Sequence, residues 1–292
     1  MKSAPYLRMI TVQFVLMEVV DAMADLKDES KGEGAGVSPA LLEQLRQHVT
    51  NLMAATHLLT PVIRESGEAK YDQYLAIMNQ SFYRLLRLMN HLEFTQELDQ
   101  DDVPFCPVPM DLAGLCHELT DQVSPLAADA GVVFHYETES LGLLTTGDPA
   151  LLRQLLLGLI SNALRGAGGG GEAGLRLVRQ RDCALITVWD SGDSKAPAGA
   201  ADTGPYRPDG GLGLGLPIAR KLAALHGGAV MLEQRAERGM RATVSLPIRS
   251  PEPGALRTPA SAGYDAAGGF SLTLVELADV LPYGAFLPED LE

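Results

Sequence analysis

The stretch Gly210-Gly211-Leu212-Gly213-Leu214-Gly215-Leu216 runs directly into an apolar segment with helical spacing that continues to Leu225. Glycine lets a backbone turn tightly and approach a ligand, and a helix N-terminus presents free N–H groups with a partial positive charge. This combination predicts a binding site for a nucleotide phosphate. The stretch does not follow a strand directly and lacks the Gly-Lys-Ser/Thr ending of a P-loop, so it is neither a Rossmann fingerprint nor a Walker A motif.

Two further motifs precede this stretch. Ser161-Asn162-Ala163-Leu164-Arg165 lies late on a predicted helix that Asp148-Pro149 opens, because aspartate caps helices well and proline suits the first helical position. Trp189-Asp190-Ser191-Gly192 stands where a predicted strand gives way to a long polar loop. Taken singly, Asn162 could simply cross-link its helix and Asp190 could simply shape a turn, so neither motif identifies a site on its own.

In their order and spacing, these motifs resemble the N, G1 and G2 boxes of the ATP-binding domain of sensor histidine kinases, a Bergerat-type domain. The resemblance covers about residues 110–248. The helical pair before it resembles the dimerisation and histidine-phosphotransfer hairpin of the same family. The resemblance therefore implies an α+β fold, in which an antiparallel helical hairpin forms a dimeric four-helix bundle and a Bergerat-type α/β sandwich follows.

The resemblance also implies a ligand, Mg-ATP, and the residues that hold it. Asn162 corresponds to the asparagine that binds Mg²⁺, a cation that prefers hard oxygen ligands. Asp190 corresponds to the aspartate that accepts a hydrogen bond from the adenine amino group. The whole implied nucleotide-binding set is Asn162, Arg165, Asp190, Gly192, Gly211, Gly213, Leu214 and Gly215. The chain departs from the family pattern in two ways: Asp193 replaces the second G1 glycine, and the expected ATP lid, Ser191–Gly210, has no phenylalanine-rich box.

Apolar residues recur at helical spacing in two segments before this region, Ala40–Ile63 and Tyr71–Phe94. They predict two amphipathic helices with a short connection, which fold as an antiparallel hairpin. Because such a hairpin cannot bury its apolar stripe alone, we expect a homodimer in which two hairpins pair as a four-helix bundle.

The usual phosphoacceptor histidine of the family is missing from the first helix. The family motif His-Glu-Leu-Arg-Thr-Pro aligns best with Glu43-Gln44-Leu45-Arg46-Gln47-His48, which puts Glu43 at the acceptor position. His48 and His57 are the remaining acceptor candidates. Helical geometry places His57 on the same side as Glu43 but about 21 Å further along the axis. Neither histidine has an adjacent carboxylate in the sequence, and each could simply be a surface or core-edge residue.

Composition excludes several classes of protein. The 292 residues carry a formal net charge of −14 and give a pI near 4.8, which argues against nucleic-acid binding, since that requires a basic surface. The three cysteines, Cys106, Cys116 and Cys183, show neither disulfide-scaffold nor zinc spacing, which fits a reducing compartment. The apolar run Met9–Val20 is too short to span a bilayer. We therefore expect a cytoplasmic protein without a membrane span.

Shifts in composition along the chain predict its organisation. Residues 1–36 form an N-terminal amphipathic helix and flexible linker, residues 37–97 the helical-hairpin dimerisation domain, and residues 98–109 a hinge. Residues 110–249 form the ATP-binding domain, and residues 250–292 combine a low-complexity linker with an apolar C-terminal tail. The sequence leaves open whether the tail docks on the domain or on a partner.

We therefore expect a signal-transduction protein that binds Mg-ATP. The family reaction would transfer the γ-phosphoryl group to a histidine and then to a response regulator, mainly by positioning and charge neutralisation. The alternative is a non-catalytic dimeric scaffold that lacks the phosphoacceptor histidine. A serine kinase of the anti-sigma type has the same ATP-binding fold, but the dimerisation hairpin argues against it.

Overall fold

The computed structural model describes residues 38–64, 69–100, 103–139, 142–192, 213–236, 238–249 and 270–287. The predicted N-terminal helix and glycine-rich linker, most of the predicted ATP lid, and the linker over residues 250–269 lie outside these residues. Gly211 also lies outside them, so its expected place beside the phosphates stays a prediction.

Two long helices form the first part of the described chain, α1 (Pro39–Arg64) and α2 (Ala69–Asp99). They run antiparallel, because Arg64 near the connection donates a hydrogen bond to Asp72 at 2.9 Å while Arg46 donates one to Asn90 at 2.9 Å. The structure thus confirms the expected hairpin. Within the described ranges, no helix combines the length and the apolar composition that crossing a membrane requires.

Helix α2 is longer than the sequence pattern predicts. It continues to Asp99, five residues past Phe94. Residues 95–103 contain neither glycine nor proline, so nothing in the sequence ends the helix where the apolar pattern fades. The first residues of the predicted hinge, Leu98 and Asp99, are therefore helical.

Seven strands make up the sheets of the second part. They are β1 (Val108–Asp111), β2 (Val133–Thr138), β3 (Leu144–Gly147), β4 (Glu172–Gln180), β5 (Cys183–Asp190), β6 (Ala229–Gln234) and β7 (Met240–Pro247) within the described residues. Five of them form one sheet in the order β2-β4-β5-β7-β6, in which β2 pairs with β4 in parallel and all other neighbours are antiparallel.

Three helices cover one face of this sheet: α3 (Leu112–Asp129), α4 (Pro149–Ala167) and α5 (Gly215–Leu225). Burial alternates along β5, where Ala184, Ile186 and Val188 are buried against the helices. This alternation is what a sheet with one covered face requires. The architecture confirms the expected α/β sandwich behind a helical hairpin.

The predicted start of α4 is confirmed. The Asp148 carboxylate accepts hydrogen bonds from the amides of Ala150 at 3.0 Å and Leu151 at 3.2 Å, and Pro149 takes the first helical position. These contacts satisfy N–H groups that have no partner inside the helix. The cap fixes the register in which Asn162 falls on the last two turns of α4.

The short pair β1–β3 is a feature that the sequence analysis missed. Each of these strands has four residues, too few to show alternation. Strand β1 begins inside the predicted hinge, where Pro107 and Pro109 suggested a loop, but proline is tolerated on the edge of a two-stranded sheet. The last two residues of the predicted hinge, 108 and 109, therefore belong to a strand.

The C-terminal segment, Phe270–Leu287, packs against its own chain. It contains the short helix α6 (Leu272–Leu277) and a 3₁₀ turn (Tyr283–Phe286). Helix α6 contacts α2 and α4, and the 3₁₀ turn contacts α2 and α3. Of the two docking modes that the sequence left open, the structure has the intramolecular one.

Candidate functional site

Helix α4 carries Asn162 to the start of α5. The Asn162 side chain is exposed, and its Nδ2 lies 3.9 Å from the position that a Cβ would take at Gly215. The amide group of Asn162 therefore lies beside the first residue of α5. This juxtaposition of the N motif and the glycine-rich stretch was the central expectation of the sequence analysis.

Among the described residues, no side chain caps the N-terminus of α5. Leu214, which precedes the helix, makes no capping hydrogen bond through its side chain. Gly213 has a φ of +70°, a conformation that glycine adopts without strain, and nothing lies within 4 Å of where its Cβ would be. The first amides of α5 thus have no side-chain acceptor within the described part of the chain, and the partial positive charge of a helix N-terminus attracts an anion to such amides.

Asp190 is buried at the end of β5 and is held by backbone amides. Its Oδ1 accepts a hydrogen bond from the amide of Gly192 at 2.9 Å, and its Oδ2 accepts one from the amide of Met240 at 3.3 Å. Burial raises the pKa of this carboxyl, while the two amides and Arg235 act in the opposite direction. The carboxylate is therefore fixed in one orientation, as recognition of a base would require.

The turn after Asp190 lies directly against the end of α4. A Cβ at Gly192 would lie 1.7 Å from the carbonyl oxygen of Gly166, and a Cβ at Gly166 would lie 2.9 Å from Cγ of Asp190. Two glycines thus let the G1 turn and the N-motif helix touch through their backbones. Gly192 belongs to the implied nucleotide-binding set, whereas Gly166, which follows directly after the N motif, does not.

Arg235 and Gly239 lie in the turn between β6 and β7 and contact the backbone carbonyl of Asp190. Arg235 donates a hydrogen bond to the Asp190 carbonyl oxygen at 2.7 Å. Gly239 has a φ of +86°, and a Cβ there would lie 2.0 Å from the same oxygen. Sequence reasoning missed both residues, because their role depends on the pairing of β5 with β7. The one signal in the sequence was Gly239 itself, a glycine between β6 and β7.

Arg165, a member of the implied nucleotide-binding set, pairs with Asp279 of the C-terminal segment. Its Nη2 lies 3.6 Å from Oδ2 of Asp279, is buried, and makes no hydrogen bond within the described residues. Burial lowers the pKa of its guanidinium, nearby Arg87 lowers it further, and Asp279 raises it. Arg165 therefore lies on the N-motif helix but is held toward the tail.

The acceptor candidates lie on the surface of α1. Glu43, His48 and His57 are all exposed. Glu43 forms an ion pair with Arg46 at 3.9 Å, one helical turn away. Arg46 in turn binds Glu93 and Asn90 of α2. The acceptor position thus holds a carboxylate in a surface ion-pair network.

Residues 147–250 match the family model described as "Histidine kinase-, DNA gyrase B-, and HSP90-like ATPase". The match spans the N motif, Asp190 and the glycine-rich stretch. Helix α6 and the 3₁₀ turn lie beyond its C-terminal limit.

Several curated sensor proteins are similar to this chain. The probable sensor protein PcoS of Escherichia coli is 26% identical over 207 residues, covering 68% of this chain and 43% of PcoS. The circadian input-output histidine kinase CikA of Synechococcus elongatus is 24% identical, with 79% and 32% covered, and the sensor protein kinase PmrB of Pseudomonas aeruginosa is 26% identical, with 89% and 56% covered. The chain thus spans about a third to a little over half the length of these relatives.

Among solved structures, the full-length histidine kinase ShkA in complex with AMPPNP has a similar fold. The TM-score is 0.56 at 24% sequence identity, and the superposition covers 74% of this chain and 47% of ShkA. This likeness shows a shared fold. Residues 147–250 thus carry a domain of the histidine kinase-, DNA gyrase B- and HSP90-like ATPase family, and the sensor-kinase relatives support a place for the chain among the sensor histidine kinases.

Proposed function

We propose that this chain binds Mg-ATP where α4, β5 and α5 meet, and that it uses the nucleotide in signal transduction. The observation that carries the proposal is the position of the Asn162 amide beside the uncapped start of α5. A metal ligand and a set of free amides at one place match the needs of a triphosphate. The AMPPNP complex of the similarly folded ShkA supports the choice of nucleotide.

In this proposal each side chain has a separate task. The Asn162 side-chain oxygen would hold Mg²⁺, which neutralises charge on the phosphate oxygens when bound. Magnesium commonly takes few protein ligands besides phosphates and water. The backbone of Gly213, Leu214 and Gly215 would bind the phosphates, and Asp190 with Gly192 would bind the adenine amino group. Arg165 would supply a cation to the phosphates once it leaves Asp279.

We expect Asn162→Ala to weaken Mg-ATP binding by at least about tenfold, because it removes the metal's oxygen ligand and leaves the fold intact. Isothermal titration calorimetry with and without Mg²⁺ measures this loss of affinity. Gly213→Ala should also weaken Mg-ATP binding, because alanine is strained at the φ of +70° that Gly213 adopts. Asn51→Ala, at an exposed asparagine of α1, is the matched control. Unchanged affinity in both site variants would contradict the site.

We further propose that the hairpin forms a homodimer. Its helices expose large apolar side chains that a partner would cover. These are Leu58, Val62, Tyr74, Ile77, Met78, Leu85 and Leu88, with exposed fractions of 37–75%. Burying such a stripe against a second copy gives a four-helix bundle. Light scattering of the wild type and of Asn162→Ala should give the same dimer mass, which separates assembly from nucleotide binding.

For the signalling output, the family relationship supports transfer of the γ-phosphoryl group to a histidine of α1 and on to a response-regulator-like partner. His48 and His57 are the exposed candidates. The second candidate function is a scaffold that binds nucleotide without phosphotransfer. The observation that favours it is Glu43, which puts a carboxylate in an ion pair where the family motif has its histidine.

Incubation with γ-labelled ATP separates these two functions. A histidine kinase should acquire acid-labile label that His48→Gln or His57→Gln abolishes, because phosphohistidine is formed at one ring nitrogen of one residue. Glu43→Gln is the control, since it alters the helix surface without removing a histidine. Absence of acid-labile label in protein that binds ATP would favour the scaffold.

A further inference from the structure

The C-terminal segment Phe270–Leu287 lies outside the matched ATPase region, yet much of it is deeply buried. Phe286 and Val275 have no exposed surface. Tyr83 of α2 contacts two rings of the segment, Phe270 at a centroid distance of 6.0 Å and Phe286 at 5.3 Å. Such burial stabilises the docked state, because it removes large apolar surfaces from water.

Polar side chains of α2 bind the backbone of this segment. Asn79 donates a hydrogen bond to the carbonyl of Phe286 at 3.1 Å, and Gln80 donates one to the carbonyl of Leu281 at 2.7 Å. Both amide side chains are buried. A buried amide without a partner is costly, so these residues of α2 are suited to the docked segment rather than to a purely apolar neighbour.

The segment also brings two carboxylates into a group of arginines. Glu276 is almost fully buried and lies 3.3 Å from Nε of Arg87 and 3.1 Å from Nε2 of His91. Asp279 binds Arg87 and lies 3.7 Å from Arg84. Arg84, Arg87 and His91 all belong to α2, and Arg87 pairs with both carboxylates.

One of these carboxylates, that of Asp279, links α2 to the N-motif helix α4. Asp279 lies between Arg87 of α2 and Arg165 of α4, and Arg87 also contacts Ser161 of α4 at 3.3 Å. Without the segment, two positive guanidinium groups would face each other across this contact. Like charges in a partly buried site repel strongly, so the segment supplies the counter-charge that lets α2 and α4 lie together.

We propose that the C-terminal segment is an intramolecular clamp, which fixes the hairpin helix α2 against the ATP-binding domain and holds Arg165 away from the nucleotide phosphates. Displacing the clamp would free the ATP-binding domain to move relative to the hairpin. It would also release Arg165, whose Nη2 lies near the Asp279 carboxylate and forms no hydrogen bond with any described residue. The part that concerns Arg165 rests on the proposed function, whereas the part that concerns α2 and α4 does not.

The conservative double variant Glu276→Gln/Asp279→Asn tests the clamp in the full-length protein. We expect amide hydrogen exchange in α2 between Asn79 and His91 to rise at least about tenfold, because local opening is no longer opposed by the ion pairs. Glu118→Gln is the matched control, since it breaks an exposed ion pair between α3 and α4. Unchanged exchange in the double variant would overturn the clamp.

A second variant ends the chain after Gly269. Its hairpin and ATP-binding domain should unfold in two separate calorimetric transitions. Adding a synthetic peptide of residues 270–292 should bring back a single transition. If the shortened chain aggregates, the double variant above still decides the question. A single unchanged transition in the folded, shortened chain would overturn the clamp.

Nucleotide affinity tests the role of Arg165. Asp279→Asn should bind Mg-ATP about two- to fivefold more tightly, because a partly exposed ion pair is of that strength. Adding Arg165→Gln to Asp279→Asn should abolish the gain. Equal affinity of wild type and Asp279→Asn would overturn the competition for Arg165. No ATP binding in any variant, with hydrogen exchange still raised, would reject the nucleotide site and retain the clamp.

Discussion

Gly192→Ala is expected to abolish nucleotide binding and to lower the free energy of unfolding by about 3 kcal/mol, at the upper end of overpacking effects. The new Cβ would lie 1.7 Å from the carbonyl oxygen of Gly166, which is far inside van der Waals contact. That oxygen belongs to backbone at the end of α4 and cannot rotate away as a side chain can. Either the turn holding Asp190 or the last turn of α4 must move, and both carry proposed site residues.

Gly158→Ala is the matched control for this prediction. Gly158 lies in α4, the helix whose end Gly192 contacts. Among the described residues, nothing lies within 4 Å of where a Cβ at Gly158 would be. Alanine favours a helix over glycine by about 1 kcal/mol, so this variant should be as stable as the wild type or more so. Chemical denaturation and ATP titration of both variants give the comparison. Normal ATP affinity in Gly192→Ala would mean that the turn is not part of the nucleotide site.

Glu276→Gln is expected to lower the free energy of unfolding by about 3 kcal/mol at neutral pH. It removes the buried carboxylate that pairs with His91 and leaves Arg87 with Asp279 alone. Burial alone would raise the pKa of Glu276. The charges and hydrogen bonds of His91 and Arg87 outweigh burial and hold this pKa below its ordinary value of 4.5. The ionised carboxylate is therefore the form that the folded state prefers.

This direction of the pKa shift fixes the pH dependence. Below pH 4.5 the unfolded chain binds a proton at Glu276 before the folded chain does, so stability at this site falls as the pH falls. The difference in free energy of unfolding between wild type and Glu276→Gln should have its full size at neutral pH and should become smaller as the solution is made acidic. Urea denaturation across this range measures it, with Glu118→Gln as an exposed control. A difference that stays constant down to strongly acidic pH would contradict this account.

The parts of the fold that rest on local signals could be predicted from the sequence. Asp148-Pro149 correctly marked the start of α4, because capping is a contact between residues close in the chain. That start placed Asn162 on the last turns of the helix, where the structure has it beside Gly215. The helical hairpin followed from its apolar period in the same way.

The parts that rest on long-range pairing could not be predicted. Arg235 reaches Asp190 only because β7, which follows the turn that holds Arg235, pairs with β5. The expected position of Arg165 followed the family pattern, which holds no information about Asp279, a residue far along the chain. Buried charges such as Glu276 look like surface residues in a sequence, and only their partners reveal their position.

Trp189 gives the sheet domain a further property. It is the single tryptophan of the chain. It stacks on His135 at a centroid distance of 5.8 Å and lies under the Arg235 guanidinium at 4.4 Å. It also directly precedes Asp190, so a ligand that moves Asp190 or Arg235 changes the surroundings of the indole. Intrinsic fluorescence of the unlabelled protein should thus follow nucleotide titrations in real time, without a dye or an added cysteine.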